Sequence, residues 1–302
     1  MITLASDFGS PYPAAMKGVI RHESDAEILD VSHDLPRGDP RAAAFWLRFV
    51  LPEFPPAVHC AVVDPGVGTD RAAVAVRAGD HVIVAPDNGL ALPPARVLAD
   101  SSDGDGRDDD RIEVFEIVVD DPASATFHGR DVFAPAAARI REAIGGELGR
   151  VDPADDRSTG DRSTGDPVGD VLASLPELTR TTEFADLTLP TATVEDGVAH
   201  GEVLVVDDFG NAITNVPGSF IRDRDPDSDR NVDRDPNRDR GADRVRVNGE
   251  SVPVVETFAS VPRGDRLVTV GSHGYLECDV NDGRGDAAFG LEPGDEIRFR
   301  FR

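Results

Sequence analysis

Lysine is almost absent from this chain. Lys17 is the only one among 302 residues, and every other strong base is arginine. Acidic residues outnumber basic ones, 57 to 31, which leaves a formal net charge of −26. A chain so negative argues against nucleic acid and anionic membrane as partners, because both repel it. An acidic surplus with almost no lysine reads as halophilic adaptation, where salt screens the self-repulsion. A GC-rich coding bias that turns lysine into arginine accounts for the same pattern. Neither reading bears on the reaction.

Other absences narrow the class further. No apolar run approaches the ~20 residues of a membrane-spanning helix. The first residues, Met1-Ile2-Thr3-Leu4-Ala5-Ser6-Asp7, carry no basic stretch. They read as a first strand and not as a signal peptide, and the expected compartment is the cytoplasm. The two cysteines, Cys60 and Cys278, sit in apolar or strand-like surroundings and are expected as reduced core thiols, without a disulfide or zinc. Neither the glycine fingerprint of dinucleotide-binding loops nor a P-loop occurs, so phosphate binding is not indicated. No spacing of His, Cys or Asp suggests a metal.

What is present falls into two parts, as the length suggests. Up to about residue 150, strand-like runs alternate with helix-like ones. Residues 2–5, 27–31, 57–63, 72–76, 81–85 and 112–119 read as strands. Residues 14–21, 41–50 (with the only tryptophan, Trp46) and 132–145 read as helices. That order predicts an α/β domain over 1–175, a mostly parallel sheet with flanking helices. From about Glu183 the pattern turns to short strands at 199–206, 212–215, 244–247, 266–270, 275–280 and 295–301, punctuated by Gly, Pro and Asp. They predict a small all-β, barrel-like domain over 183–302. Three polar stretches interrupt the pattern, at 101–111, 152–170 (with Asp-Arg-Ser-Thr-Gly twice in tandem) and 222–243. They read as disordered or loosely held insertions without chemistry.

The chemistry is expected on loops that follow strands. Asp64 ends a buried run and opens Asp64-Pro65-Gly66-Val67-Gly68, a tight turn at the carboxyl end of a strand. Arg71 follows seven residues later, close enough for a charge-assisted pair. Asp7 follows the first strand beside Gly9, placed to accept two ribose hydroxyls. His128, flanked by Gly129, Arg130 and Asp131, precedes the alanine-rich helix and suits a general base or a partner for a bound water. Asp131 reads as that helix's N-cap. In the second domain, Asp207-Asp208-Phe209-Gly210-Asn211 and Gly271-Ser272-His273-Gly274 have turn chemistry. Asp, Asn and an exposed Phe also suit an adenine or an amino-acid head group. Phe258 either stacks on a base or fills the core.

Taken together, several motifs resemble one family. They are Ser6-Asp7-Phe8-Gly9-Ser10, Met16-Lys17-Gly18-Val19-Ile20, Val63-Asp64-Pro65-Gly66-Val67-Gly68-Thr69 with Arg71, and Pro86-Asp87-Asn88-Gly89-Leu90. The others are Thr126-Phe127-His128-Gly129-Arg130-Asp131-Val132-Phe133, Asp207 with Phe209-Gly210-Asn211 and Ile213-Thr214-Asn215, and Gly271-Ser272-His273-Gly274-Tyr275-Leu276-Glu277. The chain resembles the S-adenosylmethionine (SAM) hydroxide adenosyltransferases, or SAM hydrolases, relatives of the fluorinating and chlorinating enzymes. The resemblance spans 2 to about 150 and about 199 to 300. It implies hydrolysis of SAM to adenosine and L-methionine, with SAM as substrate and no cofactor. It implies a homotrimer with SAM bound between the N-terminal domain of one subunit and the C-terminal domain of the next. It assigns water activation to Asp64, Arg71 and His128, and the ribose hydroxyls to Asp7. Asp207, Ser272, His273 and Glu277 would hold the methionine head group. Asn211, Phe209, Phe258 and the backbone near Val280 would surround the adenine. Asp64 stands where the fluorinating enzyme has an aromatic residue, and Gly129 where it has a halide-contacting Ser. A halide adenosyltransferase is the alternative enzyme. A non-catalytic SAM or adenosine sensor is the alternative outside catalysis.

Overall fold

The computed structural model describes residues 1–101, 112–118, 122–145, 167–222 and 244–301. The tandem repeat and most of the three polar stretches lie outside the described residues. The end of the second stretch does not: Pro167–Ser174 is a helix with Val168 and Leu172 buried. The chain divides into two compact units, Met1–Leu189 and Pro190–Arg302. The first unit runs past 175 because Leu178–Arg180 forms the last strand of its sheet.

In the first unit, strands β1 (Ile2–Ser6), β2 (Ile28–Ser32), β3 (Val58–Val62), β4 (Ala73–Ala78), β5 (His81–Pro86), β6 (Ile112–Ile117) and β7 (Leu178–Arg180) form one sheet, ordered β2-β1-β3-β5-β4-β6-β7. Every residue of β1, β3, β4 and β5 is buried, as their largely apolar runs require of strands covered on both faces. The sheet is mixed rather than mostly parallel. β2, β1, β3 and β5 are parallel neighbours, while β5-β4, β4-β6 and β6-β7 pair antiparallel. The cause is local. Ala78 pairs with His81 across Gly79-Asp80, and a two-residue loop can join only antiparallel strands. Gly79 there takes a φ of 57°, which glycine adopts without strain.

Helices cover both faces. On one lie α1 (Tyr12–Glu23), α4 (Ala134–Ala143) and α5 (Pro167–Ser174), which place Met16, Ile20, Ile140 and Leu172 in one apolar cluster with the sheet. On the other lie α2 (Pro40–Val50) and α3 (Leu92–Ser101), with Ala43, Leu47, Ala95 and Leu98 in a second cluster. Each large apolar side chain so buried contributes about 1.5–3 kcal/mol. α2 starts cleanly because Asp39 accepts a hydrogen bond from the Ala42 amide at 3.0 Å and Pro40 occupies its first turn. α4 does not start as expected. A π-helical turn, Gly129–Phe133, leads into it, and Asp131 makes no cap. Its carboxylate instead accepts from Arg130, Nε at 2.5 Å and Nη2 at 2.8 Å.

The second unit is an antiparallel, nearly closed barrel-like sheet. Its strands are β8 (Thr193–Glu195), β9 (Val198–Val206), β10 (Ala212–Pro217), β11 (Arg244–Val247), β12 (Glu250–Pro253), β13 (Arg266–Val270), β14 (Tyr275–Val280) and β15 (Glu296–Phe301). The order is β12-β11-β15-β9-β10-β14-β13, with β8 on β9. An isolated bridge from Val254 to Val268 draws the two ends together. Val203, Val247, Val268, Leu276, Cys278 and Phe299 fill the interior. Short helices α6 (Ser219–Arg222) and α7 (Gly285–Phe289) complete it. Cys60 and Cys278 are buried free thiols, and burial pushes Cys60 up to about 12. Among the described residues no helix is long and apolar enough to cross a membrane.

Candidate active site

The Asp64 loop leaves β3 and turns back at once. The Val67 amide donates to Asp64 O at 3.3 Å, and the Thr69 amide to Gly66 O at 3.1 Å. Thr69 Oγ1 donates to Gly66 O at 2.7 Å. The turn delivers Arg71 to Asp64: Nη1 lies 2.6 Å from Oδ1, and the same oxygen accepts the Gly66 amide at 3.1 Å. The Asp64 side chain is 6% exposed and that of Arg71 28%. The guanidinium lies flat across Gly66. A Cβ there would stand 2.5 Å from Nη2 and 2.6 Å from Cζ, so the pairing requires a residue without a side chain.

Asp64 faces a cavity of about 580 Å³. Asp7, at the end of β1, and His128, at the mouth of the π-helical turn, line it too. One Asp7 oxygen is fixed: Oδ2 accepts the Gly38 amide at 2.8 Å. The cavity has an aromatic wall. Phe127 meets Phe8 and Tyr12 edge-on, with centroids 6.1 and 5.3 Å apart, and the Arg130 guanidinium lies 5.2 Å from the Phe127 centroid. The structure thus brings Asp7, Asp64 and His128 round one space, with Arg71 behind Asp64. Sequence reasoning missed Tyr12, Arg37 and Phe127 as lining residues. Phe127 adjoins His128 and was within reach. Tyr12 and Arg37 lie on segments with no motif of their own.

The second-unit candidates form two hydrogen-bonded pairs. Asn211 donates from its backbone and its Nδ2 to the two Asp207 oxygens, at 2.8 and 2.9 Å. The Tyr275 amide donates to His273 Nδ1 at 3.2 Å, which makes Nε2 the donor to Glu277 Oε1 at 2.6 Å. Phe209 is 79% exposed at the tip of its turn, and Phe258, 40% exposed, opens a short 3-10 turn. Ser272 is exposed and Val280 buried. Sequence reasoning also missed Asp279. It stands two residues beyond Glu277 on β14 and is fully buried, and neither carboxylate oxygen has a hydrogen-bond partner among the described residues. Burial first, then the charges of Glu277 and Asp207, push it up to about 8. Among the described residues no group of three or more His, Cys, Asp or Glu is arranged to hold a metal ion.

Comparison with known proteins accounts for both halves of the chain. Residues 2–149 match the SAM hydroxide adenosyltransferase N-terminal domain, and residues 201–298 match the C-terminal domain. A protein of Salinispora tropica named (R)-S-adenosyl-L-methionine hydrolase is 38% identical over 98% of this chain and 96% of its own. One of Thermus thermophilus with the same name is 36% identical over 97% and 96%. A solved structure of a conserved Thermotoga maritima protein superposes with a TM-score of 0.71 at 29% identity, covering 99% of this chain and 100% of that one. The chain belongs to the SAM hydroxide adenosyltransferase family.

Proposed function

We propose that this protein hydrolyses SAM to adenosine and L-methionine by attack of one activated water on C5′ of the ribose. The observation that carries the reading is the meeting of Asp64, paired to Arg71 at 2.6 Å, with Asp7 and His128 round one cavity. The sulfonium makes methionine a neutral leaving group, so direct displacement is open without further activation of carbon. The water oxygen bonds to C5′, the C5′–S bond breaks, and its electron pair stays on sulfur as the thioether. The difficulty lies in the nucleophile. Asp64, oriented by Arg71, and His128 would hold one water in line with the C5′–S bond and take its proton as the new bond forms. Carboxylates at Asp7 and Asp64 also suit a cationic substrate. Asp7 would bind the ribose diol through its free oxygen. Asp207, Ser272, His273 and Glu277 would bind the methionine head group, and Phe209, Asn211, Phe258 and the backbone near Val280 the adenine.

Gly129 counts against halide chemistry. A Cβ at this position would stand 2.9 Å from the Phe8 ring and 3.2 Å from the Met16 sulfur, so the Ser that the fluorinating enzyme carries there would require those side chains to shift. The relatives' names specify the R form of SAM, and the same form is the substrate proposed here. The homotrimer that the resemblance implies is checked by light scattering.

The test is incubation of the full chain with (R)-SAM in ¹⁸O-labelled water, with and without chloride. Adenosine carrying ¹⁸O should form in step with methionine, and Asp64→Ala should lose activity by about 10²–10⁴-fold. Label in neither product, or full activity in Asp64→Ala, would overturn the assignment. Loss of SAM only with chloride present would favour the halide reading.

A further inference from the structure

The Met16-to-Ile20 motif carries the chain's only lysine, and no role proposed above uses it. Its Nζ lies 2.6 Å from Asp30 Oδ2, in the middle of β2. The other oxygen of Asp30, Oδ1, accepts His33 Nε2 at 3.0 Å. A ring nitrogen facing a carboxylate must be the donor, so Nε2 carries hydrogen. On the far side of the ring, Nδ1 lies 2.8 Å from Ser6 Oγ. Ser6 is fully buried and is the residue before Asp7. The chain of contacts therefore runs from solvent, through Lys17, Asp30 and His33, to the base of Asp7.

Backbone contacts run the same way. The Gly9 amide donates to His33 O at 2.9 Å, and the Leu35 amide to Ser6 O at 3.1 Å. The Gly38 amide holds Asp7 Oδ2 at 2.8 Å. Residues 6–9 are thus stitched to residues 33–38 on both sides of Asp7, and His33 is the side chain of that seam that contacts Ser6 Oγ. Its ring sits between a buried hydroxyl and a carboxylate, so it can neither turn nor leave without stranding Ser6 Oγ.

From this geometry we infer that His33 is a positioning residue, aiming the Asp7 carboxylate at the ribose diol, with Asp30 and Lys17 fixing its ring. The inference rests on the ribose role given to Asp7 above. His33 does not line the cavity. Lys17 and Asp30 are about two-fifths exposed, 38% and 43%. Exposed ion pairs are weak, so the main effect is expected at His33.

The experiment compares adenosine with 2′,3′-dideoxyadenosine, by calorimetry, on the full chain. Wild type should bind adenosine at least about tenfold more tightly, equivalent to about 1.4 kcal/mol. In His33→Ala the ratio should fall to within about threefold while dideoxyadenosine binds as before, because only the diol contact is misaimed. His33→Asn, which can still accept from Ser6 Oγ, should recover most of the ratio; it also serves if His33→Ala does not fold. The KM for SAM should rise by about the same factor, with kcat changed far less. A wild-type ratio retained in both variants would overturn the inference. Equal loss for both nucleosides would also overturn it, since that marks a merely structural role. A wild type that does not distinguish the nucleosides removes the Asp7 assignment, and this inference with it. A wild type that distinguishes them but releases no methionine from SAM removes only the hydrolase reading.

Discussion

Asp279→Asn should make the protein more stable, and increasingly so as pH rises. Asp279 is fully buried on β14, opposite Leu267 of β13, with both oxygens unpartnered among the described residues. It is pushed up to about 8 from the ordinary 3.8. In the folded chain it is therefore a neutral acid at pH 7, while in the unfolded chain it is ionised. The folded state binds the extra proton throughout the window from 3.8 to about 8, so stability is lost as pH climbs through that window. The shift is about four pH units, which is about 6 kcal/mol at most by linkage. Most of that falls between pH 5 and 8.5, about 4 kcal/mol. Asn has the shape of the neutral acid and does not titrate. Its unpaired amide carries a roughly constant penalty of about 1–3 kcal/mol, so the slope is the diagnostic quantity and not the offset. The assay is urea unfolding followed by circular dichroism at several pH values. Trp46, the only tryptophan, belongs to the first unit, so its fluorescence follows that unit and serves as a control expected to change little. The stability difference between variant and wild type should grow by about 4 kcal/mol from pH 5 to 8.5, at unchanged m-value. A difference that stays flat would mean that Asp279 ionises normally and that a partner satisfies it, and the reasoning from burial would fail.

Two further expectations follow from the geometry. Gly66→Ala places a Cβ 2.5 Å from the Arg71 guanidinium. The far end of a flexible side chain yields at little expense, so stability should change by less than about 1 kcal/mol. Hydrolysis should nevertheless fall at least tenfold, because Arg71 leaves Asp64; parallel melting and activity measurements separate the two effects. The charge of −26 should make stability rise steeply when KCl goes from 0.1 M to 1 M, where the screening length shortens from about 10 Å to about 3 Å. A melting temperature indifferent to salt would leave only the coding-bias reading of the composition.

Much of the fold was legible because burial writes itself into sequence as runs of apolar residues. β1, β3, β4 and β5 are wholly buried and stand out as such. Direction was harder to read. A buried strand has the same composition in a parallel and an antiparallel pair, and only Gly79-Asp80 betrayed the hairpin that makes the sheet mixed. β12 escaped notice although Asn248-Gly249, with φ values of 49° and 99°, forms the expected type of tight hairpin loop; Glu250 and Pro253 masked the strand after it. The Asp131 cap was a fair inference from spacing, defeated by Arg130 next door. At the site, Asp7, Asp64 and His128 were legible because the first two follow a strand and the third opens a helical turn, each within two residues of a glycine. Asp279 and His33 were not. What distinguishes them is the surroundings they meet after folding, burial near two other carboxylates for one and a hydroxyl plus a carboxylate for the other.

The net negative charge of the chain and the carboxylates of the cavity carry out different tasks. A surface charge of −26 attracts a cationic substrate only while its field reaches into solvent, and in molar salt that reach is about 3 Å. Recognition under such conditions depends on groups at contact distance. Those groups must be held in place by bonds that salt does not dissolve. The Asp64–Arg71 pair satisfies this requirement, because Asp64 is almost wholly covered and its oxygen also accepts the Gly66 amide. The seam beneath Asp7 satisfies it as well, because the Gly38 amide and the Ser6–His33 contact are hydrogen bonds rather than exposed ion pairs. The Lys17–Asp30 contact is the outermost link and the most exposed, so salt weakens it first. If His33 aims Asp7, raising KCl should therefore erode the preference for adenosine over its dideoxy analogue only slightly. Removing the His33 ring should reduce that preference to within about threefold at every salt concentration. A preference that vanished with salt in wild type would show that the exposed Lys17–Asp30 pair, and not the hydrogen-bonded seam, holds Asp7 in place.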